Sequence, residues 1–487
     1  MRVERINLLI IGVGPNADKT YLPAIQSLQN KTPVTVQAIV DITEAQSDVI
    51  NRLKNKGFDP SSIRQYYTNG LTASGKLLAK DVSELDKIVA ERSINAVIIS
   101  TEPLSHKAYA LWAMSKNLPV LMDKPVTARK NTAHSLSAAR GIYKDYLEIL
   151  EAYERSSSPV FSMAVQRRYH PGFEFVFEKL IEVRDRFNIP VTAAQSLHAD
   201  GQWRMPSEIM TQGYHPYNIY GKVSHSGYHF LDIIARLIKV GYGPALEKNI
   251  DQLGVMTSFV EPQGLLNQLN QDDYARIFGA AYNKASKLSS SELYDAYQGF
   301  GEVDVSSIIQ LLHNNTIVGN FTLNLIHNSF SRRSWLQPGK DLYKGNGRVK
   351  HEYHSIYQGP FQNIQIHSYQ KNDVYDATID NNKIGGSNHF DVYVFRNADI
   401  TGSKPLEIFT MKDIMGQTAE LGISAHDQIK YSMAEEFFDF LLGKIDKTRL
   451  VSELDSHRLS ALLMSLVYQA HSAQRLIKHR VDSSILL

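Results

Sequence analysis

A short glycine-containing segment near the N-terminus has the residue types and spacing of a phosphate-binding loop. Gly12-Val13-Gly14-Pro15-Asn16-Ala17 follows an apolar run and precedes a helix-like segment. The pattern is G-x-G-x-x-A, a permitted form of the dinucleotide fingerprint. The first glycine allows a tight turn, the second lets the backbone approach a pyrophosphate, and the helix N-terminus presents N–H groups to the phosphates. The segment therefore predicts a dinucleotide site formed by Gly12, Gly14, Pro15, Asn16 and Ala17.

Asp41 ends the second predicted strand, where a carboxylate can bind the ribose hydroxyls of the adenosine half. A carboxylate repels a 2′-phosphate, and Ile42 and Thr43 add no positive charge, so these residues favour NAD over NADP. NADP stays open because Arg52 or Lys54 could fold back towards the site. The alternative interpretation is a glycine turn that only permits packing, with Asp41 as a helix-capping acid.

The elements that must position these residues alternate between strand and helix through the first third of the chain. Short apolar runs predict parallel strands buried on both faces, and helical segments connect them. This order predicts a doubly wound parallel sheet with right-handed crossovers. The predicted strands are 6–11, 34–40, 96–99 and 119–122, and the predicted helices are 21–28, 44–56, 83–91, 105–116 and 127–155. Thr43 and the Ser83/Asp86 pair are candidate helix caps.

The pattern changes after Ser156-Ser157-Ser158-Pro159, which predicts a domain boundary between residues 157 and 158. Residues 158–487 predict an α+β domain built on a mostly antiparallel sheet. Two β-rich runs, 305–312 and 316–326, flank an Asn-Asn pair that predicts a hairpin turn. A polar segment near 246–300 fits neither pattern and is predicted to be an insertion. Other predicted strands are 362–369 and 390–395, and predicted helices are 173–184, 228–240, 425–442 and 453–478.

The composition excludes several classes of function. Lys plus Arg number 52 against 50 Asp plus Glu, so neither nucleic acid nor an anionic membrane is an expected partner. The absence of cysteine excludes disulfides, thiolate zinc sites and cysteine nucleophiles. The apolar run 6–13 is short and broken by glycine, so it predicts a strand rather than a signal peptide. No apolar stretch has the length of a membrane span, and we expect a cytoplasmic protein.

His351-Glu352-Tyr353-His354 is a tempting metal motif that we do not assign. It lies in a β-leaning stretch, where residues three apart point to opposite faces of a strand. No metal site is therefore predicted.

Several motifs beyond the glycine loop resemble the glucose–fructose oxidoreductase/inositol dehydrogenase (Gfo/Idh/MocA) family. They are 96–101 followed by Ser105-His106, 118–127, 166–171 and 227–232. The family hallmark Glu-Lys-Pro is present as Asp123-Lys124-Pro125. The resemblance covers most of the chain except 246–300, and it implies a Rossmann cofactor domain followed by a sheet-built substrate domain.

The resemblance implies oxidation of a secondary alcohol of a sugar, inositol or related polyol between the two domains. That reaction needs a base for the hydroxyl proton, and histidine titrates near neutrality. In the family pattern Gly-x-His-x-x-Asp, His229 is implied to be the acid/base, and Asp232 on the same helix face to orient its ring. Lys124 is implied to hydrogen-bond the substrate hydroxyl. The implied cofactor residues further include Ser100, Thr101, His106, Asp123 and Lys124.

His225 departs from the family pattern. Family dehydrogenases usually have a carboxylate four residues before the histidine, and on a helix His225 and His229 share a face. A second imidazole can bind substrate or relay a proton, but it cannot supply a fixed negative charge. Arg167 and Arg168 are candidates for binding an acidic group of the substrate, or alternatively for pairing with carboxylates of the protein.

Two other functions stay open at the level of sequence. One is a glycoside hydrolase that uses tightly held NAD for transient oxidation, as some relatives do. The other is a non-enzymatic sensor or regulator that keeps the dinucleotide fold, which the Lys-Pro and Gly-x-His-x-x-Asp elements disfavour. The resemblance also implies homodimers or homotetramers formed through the second domain.

Overall fold

The protein is described from a computed structural model that covers residues 3–29, 31–211, 217–242, 248–333, 336, 347–371, 388–416 and 425–486. The chain divides into two compact units. Unit 1 comprises Met1–Ala128, Ile142–His170 and Ile423–Ala461, and unit 2 comprises Arg129–Gly141, Pro171–Gly422 and Leu462–Leu487. The boundary near 157/158 stays a prediction about independently folding domains. Within the described ranges, no helix is both long and apolar enough to cross a membrane.

Unit 1 is built on a parallel sheet in which six strands are described, in the order β3-β2-β1-β4-β5-β6. This confirms the predicted doubly wound parallel sheet. Two strands were not predicted: β3 is polar and half-buried, and β6 is a four-residue strand that directly follows the Ser-Pro segment. The strands are β1 Ile6–Ile11, β2 Val34–Ile42, β3 Arg64–Thr68, β4 Ala96–Ile99, β5 Val120–Asp123 and β6 Phe161–Ala164.

The helices of this region differ from the predictions mainly at their N-termini. They are α1 Pro15–Lys19, α2 Tyr21–Leu28, α3 Gln46–Asn55, α4 Ala79–Glu91, α5 His106–Ser115 and α6 Leu136–Arg155. Ser83 does not cap α4, because α4 already begins at Ala79 after Leu78. Thr43 does not cap α3 either, since its hydroxyl donates to the carbonyl of Thr68 at 3.2 Å.

The core of unit 1 lies around β1, whose side chains are almost all buried, as a central parallel strand requires. Helix α2 and the later helix Ala425–Leu441 pack in the same cluster, to which the latter contributes Phe437 and Phe438. The C-terminal ends of the strands therefore lie next to a well-packed apolar core.

Unit 2 is built on a sheet in which nine strands are described, in the order β14-β13-β12-β11-β7-β10-β9-β8-β15. Among these, β7 and β10 pair in parallel and the other neighbours are antiparallel, which confirms the predicted sheet type. The strands are β7 Ala193–Gln202, β8 Gln252–Val260, β9 Asp304–His313, β10 Thr316–Asn328, β11 Val349–Gln358, β12 Gln362–Lys371, β13 Asn388–Arg396, β14 Leu406–Phe409 and β15 Ile477–Arg480.

The predicted Asn-Asn hairpin joins β9 to β10. Asn314 and Asn315 have φ of 49° and 62°, the left-handed conformation that a two-residue hairpin turn of this kind needs. The segment 246–300, predicted as an insertion, contains β8, a strand of the sheet. Its helical part consists of Pro262–Gln268, Gln271–Phe278, Ala280–Ala285 and Ser290–Ala296.

The two faces of this sheet have different environments. On β7, Ser196, His198 and Asp200 are buried, whereas Gln195 on the opposite face is exposed. On β11, His351 is exposed and His354 is buried, so these two residues lie on opposite faces, as predicted. The other helices of this region are α7 Pro171–Phe187, α8 Pro206–Thr211, α9 Tyr228–Gly241, Ala398–Thr401, Met411–Met415, Arg458–Ser472 and Ser483–Leu486.

Candidate active site

The two glycines of the N-terminal loop serve different purposes. Gly12 has φ of +87°, and a Cβ there would lie 2.5 Å from the carbonyl oxygen of Ser100. Gly14 has an extended backbone and starts α1 as its N-cap without a side-chain cap. A Cβ on Gly14 would meet nothing within 4 Å. The fold thus requires a glycine at position 12, whereas the position of a Cβ on Gly14 is unoccupied.

Asp41 holds this loop from the end of β2. Its carboxylate accepts hydrogen bonds from the backbone N–H of Val13 at 2.7 Å and of Ile42 at 2.8 Å. Arg52 on α3 donates to the carbonyl of Val13 at 2.8 Å. An ionised carboxylate has about four acceptor positions, so Asp41 keeps acceptor capacity for ribose hydroxyls. Arg52 therefore does reach the loop, where it bonds to the backbone of Val13, the residue that Asp41 also contacts.

Asp123, at the end of β5, joins the loop to the neighbouring strand ends. Its carboxylate accepts hydrogen bonds from Asn16 Nδ2 and Ser100 Oγ, both at 2.7 Å, and from the hydroxyl of Tyr21. Burial and the nearby Asp123 raise the pKa of Tyr21 well above its usual range, so the phenol remains a donor. Sequence reasoning missed Tyr21, because nothing in the loop motif distinguishes a tyrosine four residues after it.

His106 lies between the two segments that follow β4 and β5. Its Nδ1 is 2.8 Å from the carbonyl oxygen of Pro125 and its Nε2 is 3.2 Å from that of Thr101. Burial lowers the pKa of this imidazole. Its neutral form has one N–H group and therefore donates to one of the two carbonyl oxygens, not to both. The Lys124–Pro125 peptide bond is cis. The carboxyl edge of the parallel sheet thus brings together the predicted residues Gly12, Gly14, Pro15, Asn16, Ala17, Asp41, Ser100, Thr101, His106, Asp123 and Lys124.

In unit 2, a five-residue π-helical turn, Val223–Gly227, leads directly into α9. Two glycines at this turn, Gly221 before it and Gly227 as its last residue, are closely packed. A Cβ on Gly227 would lie 2.8 Å from Leu325 Cδ1, and one on Gly221 would lie 2.3 Å from the carboxyl group of Glu302. The glycine of Gly-x-His-x-x-Asp thus lies where the turn packs against a side chain of β10.

The turn carries His225, a predicted substrate contact, and α9 carries two of the predicted catalytic residues. His225 is half-buried within the turn, while His229 and Asp232 are buried in the first two turns of α9. π-helical turns occur frequently at functional sites. The sequence predicted a helix from residue 228 but gave no indication of the widened turn before it.

Partners from elsewhere in the unit satisfy the first N–H groups of this helical stretch. Lys222 N donates to the carbonyl of Glu302 at 2.9 Å, and Val223 N donates to Glu302 Oε1 at 2.8 Å. Ser224 N donates to the hydroxyl of Tyr468 at 3.1 Å, and that hydroxyl donates to Glu302 Oε1 at 2.8 Å. Glu302 thus caps the stretch from a distant position, and burial raises its pKa to about 7.

A buried polar group lies on the covered face of the sheet beside this turn. We name it the Asp200 cluster; its members are His198, Asp200, Arg204, Lys222, His327 and Arg348. Asp200 pairs with Lys222, lies 2.9 Å from His327 Nδ1 and 3.2 Å from Arg348 Nη2. Burial alone would raise the pKa of Asp200, but Lys222, followed by the two histidines, outweighs it and holds that pKa well below its usual range.

The N-terminal part of the chain matches a known protein family. Residues 6–141 match the model of the GFO_IDH_MocA family, described as an oxidoreductase family with an NAD-binding Rossmann fold. Over these residues the chain is similar to the Gfo/Idh/MocA oxidoreductase family. The resemblance stated from the sequence motifs is thereby confirmed, and so is the expectation of an NAD-binding Rossmann fold.

The curated relative that matches this chain is distant in sequence. An "Oxidoreductase P35" from Formosa agariphila is 26% identical over 211 residues, which are 43% of this chain and 56% of that protein. The chain thus spans about half the length of this curated relative.

Solved structures share the fold over nearly the whole chain. Levoglucosan dehydrogenase in complex with NADH and L-sorbose has a TM-score of 0.59 at 12% identity, covering 98% of this chain and 99% of that one. An oxidoreductase from Agrobacterium radiobacter in complex with NAD+, L-tartaric acid and magnesium has a TM-score of 0.54 at 14% identity, covering 97% and 98%. The scyllo-inositol dehydrogenase from Lactobacillus casei has a TM-score of 0.53 at 12% identity, covering 98% and 99%.

The Gfo/Idh/MocA-like segment 166–171 contains the two arginines predicted to bind substrate. Arg168 is buried, and its guanidinium contacts the carbonyl of Val451 at 3.1 Å, Ser456 Oγ at 2.5 Å and His457 Nδ1 at 3.3 Å. Arg167 is half-buried in the same 3-10 turn. These contacts tie residues 451–457 to the turn after β6. The binding of substrate by the two arginines and their pairing with carboxylates both stay predictions.

Proposed function

We propose that the chain is an NAD-dependent oxidoreductase that transfers a hydride between nicotinamide and a secondary alcohol of a sugar, inositol or related polyol. The observation that carries the proposal is the arrangement around Asp123. Its carboxylate links the glycine loop, through Asn16, to the strand ends of β4 and β5. Lys124 follows immediately, so a basic side chain stands at the carboxyl edge of an NAD-binding sheet.

The residues of unit 1 fit NAD. The space beside Gly14 suits the approach of a pyrophosphate, and Asp41 offers acceptors to the adenosine ribose. Arg52 donates to the loop beside Asp41 and places a positive charge there, which is available to a 2′-phosphate. NAD is therefore the proposed cofactor, and NADP is a secondary one.

The proposed chemistry divides between the cofactor and the protein. When bound, NAD supplies a nicotinamide ring that accepts the hydride of the carbinol carbon. His229 takes the hydroxyl proton, Lys124 donates a hydrogen bond to the same oxygen, and Asp232 orients the imidazole. The alcohol thereby loses a hydride and a proton and becomes a ketone. His225 and Arg167 are the proposed substrate contacts, whereas we propose a structural role for Arg168.

The substrate class is supported by proteins of the same fold. They include levoglucosan dehydrogenase and scyllo-inositol dehydrogenase, whose names describe action on a sugar derivative and on a cyclic polyol. Both names describe small polyhydroxylated substrates, and we propose a substrate of this class for the chain.

Cofactor titration and a turnover assay test the proposal together. Purified protein is titrated with NAD and NADP by calorimetry, and the absorbance of reduced nicotinamide is then followed with a panel of sugars and polyols. Binding with NADH formation supports the dehydrogenase. Binding without NADH formation would favour the NAD-dependent hydrolase or the sensor, and release of sugar from glycosides would separate these two. Failure to bind either nucleotide would contradict the proposal.

Substitution of the two proposed catalytic residues tests the mechanism. We expect Lys124→Ala and His229→Ala each to lower kcat by a factor on the order of 10²–10⁴, while NAD affinity at most changes slightly. Lys87→Ala and His313→Ala make the same changes at exposed positions and should leave kcat unaltered. Normal turnover in both catalytic variants would remove the assignment.

A further inference from the structure

We propose that Lys222, through its buried ion pair with Asp200, is a positioning residue for His225 and His229. The inference rests on the proposed function, because it concerns the orientation of the proposed base. Lys222 is the residue immediately before the π-helical turn, and Asp200 lies near the end of β7. The pair therefore connects the start of the turn to the centre of the sheet.

The burial of this pair is the first reason for the proposal. Lys222 has no exposed surface, and Asp200 is 2% exposed. A buried ion pair is weak evidence for stability, since apolar residues of similar volume often stabilise a fold at least as well. Its best-attested use is to select one arrangement of the elements that it joins. A lysine at this position thus needs a reason beyond packing.

The orientation of Asp200 is fixed by several donors at once. Arg348 Nε donates to the backbone carbonyl of Asp200 at 2.7 Å, and its Nη2 donates to the carboxylate. His327 lies between Asp200 and Arg204: its Nδ1 faces the carboxylate at 2.9 Å, and its Nε2 accepts from Arg204 Nε at 3.1 Å. Burial lowers the pKa of His327 to about 4, so this imidazole is neutral and one tautomer fits both bonds. Lys222 thus binds an acceptor that cannot turn away.

A second path leads from Lys222 to the catalytic helix. Its Nζ lies 3.5 Å from His198 Nδ1. The ring of His198 packs against that of Phe230, with centroids 4.4 Å apart. Phe230 directly follows His229 in α9, so the cluster contacts both the beginning of the π-helical turn and the first turn of the helix after it. A shift of Lys222 is transmitted to both predicted histidines.

The backbone of the turn is anchored at the same place. Glu302 accepts the N–H groups of Lys222 and Val223 through its carbonyl and its carboxylate. The side chain of Lys222 thus points to β7, while its backbone is held by Glu302, two residues before β9. Removal of the ammonium group leaves the backbone anchor in place, so we expect a change of orientation rather than loss of the fold.

Three variants test the role. Lys222→Met and Asp200→Asn each break the pair with little change in volume, and Asp200→Asn/Lys222→Met removes both charges. Arg396→Met is the matched control: Arg396 is a buried cation on β13 that pairs with Glu182 at 3.0 Å. We expect Lys222→Met to lower kcat by 10- to 100-fold with KM changed by about threefold or less, as for a misplaced catalytic group. Arg396→Met should lose a comparable amount of thermal stability and keep its kcat.

The double variant separates positioning from stability. Removing both charges relieves the unpaired carboxylate, so Asp200→Asn/Lys222→Met should recover part of the Tm that Lys222→Met loses. Its kcat should stay low, because the anchor is still absent. Recovery of kcat in parallel with Tm would overturn the proposal and leave the pair a purely structural role.

A chemical readout keeps this test independent of turnover. The rate of carbethoxylation by diethyl pyrocarbonate, mapped by mass spectrometry, reports the environment of each histidine. In Lys222→Met the rates at His225 and His229 should rise about threefold or more, while His313, exposed in the β9–β10 hairpin, should keep its rate as an internal control. Unchanged rates at both residues would refute the positioning role even if the native chain shows no dehydrogenase activity. If the rates at His225 and His229 rise in Lys222→Met but the native chain shows no dehydrogenase activity, only the proposed function is refuted.

Discussion

At the scale of single residues, we propose that Asp41 sets the preference for NAD over NADP. Its carboxylate accepts hydrogen bonds from the backbone N–H groups of Val13 and Ile42, and Arg52 donates to the carbonyl of Val13. In Asp41→Ala the repulsion of a 2′-phosphate disappears and Arg52 remains. We expect the ratio of NAD affinity to NADP affinity to fall by about tenfold or more, measured by calorimetry.

The ratio matters in this experiment because Asp41 also supports the loop, so both affinities will decrease somewhat. Asp48→Ala, an exposed change next to Arg52 on α3, serves as the control and should leave the ratio near its original value. An unchanged ratio in Asp41→Ala would show that the ribose is recognised elsewhere.

Glu302 gives the protein a specific pH dependence of stability. Burial raises the pKa of its carboxyl group to about 7 from 4.5. The folded state therefore binds this proton more tightly than the unfolded chain. The stability contributed by the group is fully present below pH 4.5 and is lost as the pH rises through 7.

Glu302→Gln should remove this dependence while its amide oxygen still accepts from Val223. The unfolding free energy of the variant, relative to that of the original chain, should rise by on the order of 3 kcal/mol between pH 4.5 and 8. Urea unfolding at several pH values measures it. A difference that stays constant over this range would contradict the raised pKa.

The residues of the cofactor loop could be predicted from the sequence because they are close together in it. Gly12, Gly14 and Asn16 follow one strand, and Asp41 ends the next. Members of the Asp200 cluster could not be predicted in this way. Asp200 and Lys222 meet because β7 and the turn before α9 meet, and His327 and Arg348 come from more than 100 residues further along the chain.

At the scale of elements, the two glycines of the turn after β1 lead to two contrasting predictions. Gly12 needs a positive φ and lies against the backbone of Ser100 and Thr101, whereas Gly14 has an ordinary φ and an open Cβ position. Gly12→Ala should lower the unfolding free energy by roughly 2–4 kcal/mol. Gly14→Ala should change it by about 0.5 kcal/mol or less and yet weaken NAD binding by about tenfold or more, because its methyl group occupies the space proposed for the pyrophosphate.

Chemical unfolding and NAD calorimetry on the same two proteins check this pair. If Gly14→Ala bound NAD as tightly as the original chain, the loop would not be the pyrophosphate site, whatever the effect of Gly12→Ala.

Strands with a strong pattern were predicted and those with a weak pattern were not. β1, β2 and β4 are buried apolar runs, and the β9–β10 hairpin has alternation plus an Asn-Asn turn. β3, with the sequence RQYYT, lies at the sheet edge and has no apolar run. β7 and β11 were not predicted because several of their buried side chains are polar. Their sequences therefore lack the alternation of apolar and polar residues that indicates a strand.

At the scale of the whole molecule, one face of the unit 2 sheet carries apolar side chains that remain exposed. Met256 on β8 and Ile308 on β9 lie directly opposite each other and are 50% and 41% exposed. Tyr357 and Phe395 are exposed on the same face. An apolar patch on a broad sheet face is typical of an interface, and we propose that this face forms the predicted homodimer or homotetramer.

Ile308→Lys tests this proposal, since it places a charge on this face directly beside Met256. We expect a shift to a smaller species in size-exclusion chromatography with light scattering, with secondary structure retained. Ile277→Lys, at a 52% exposed position on the helix Gln271–Phe278, is the control and should leave the mass unchanged. A chain that is monomeric before any substitution would refute the interface.

The π-helical turn has a consequence for how this helix can change in evolution. Its i→i+5 bonding holds about one residue more than an α-helical turn would. Deletion of a single residue from Val223–Gly227 would return the segment to α-helical winding. Five residues of the widened turn at about 80° each cover the same rotation as four α-helical residues at about 100° each, so the later side chains of α9 would keep their directions. A relative that lacks one residue at this place therefore keeps His229 and Asp232 in their present directions and loses only the widened turn that carries His225.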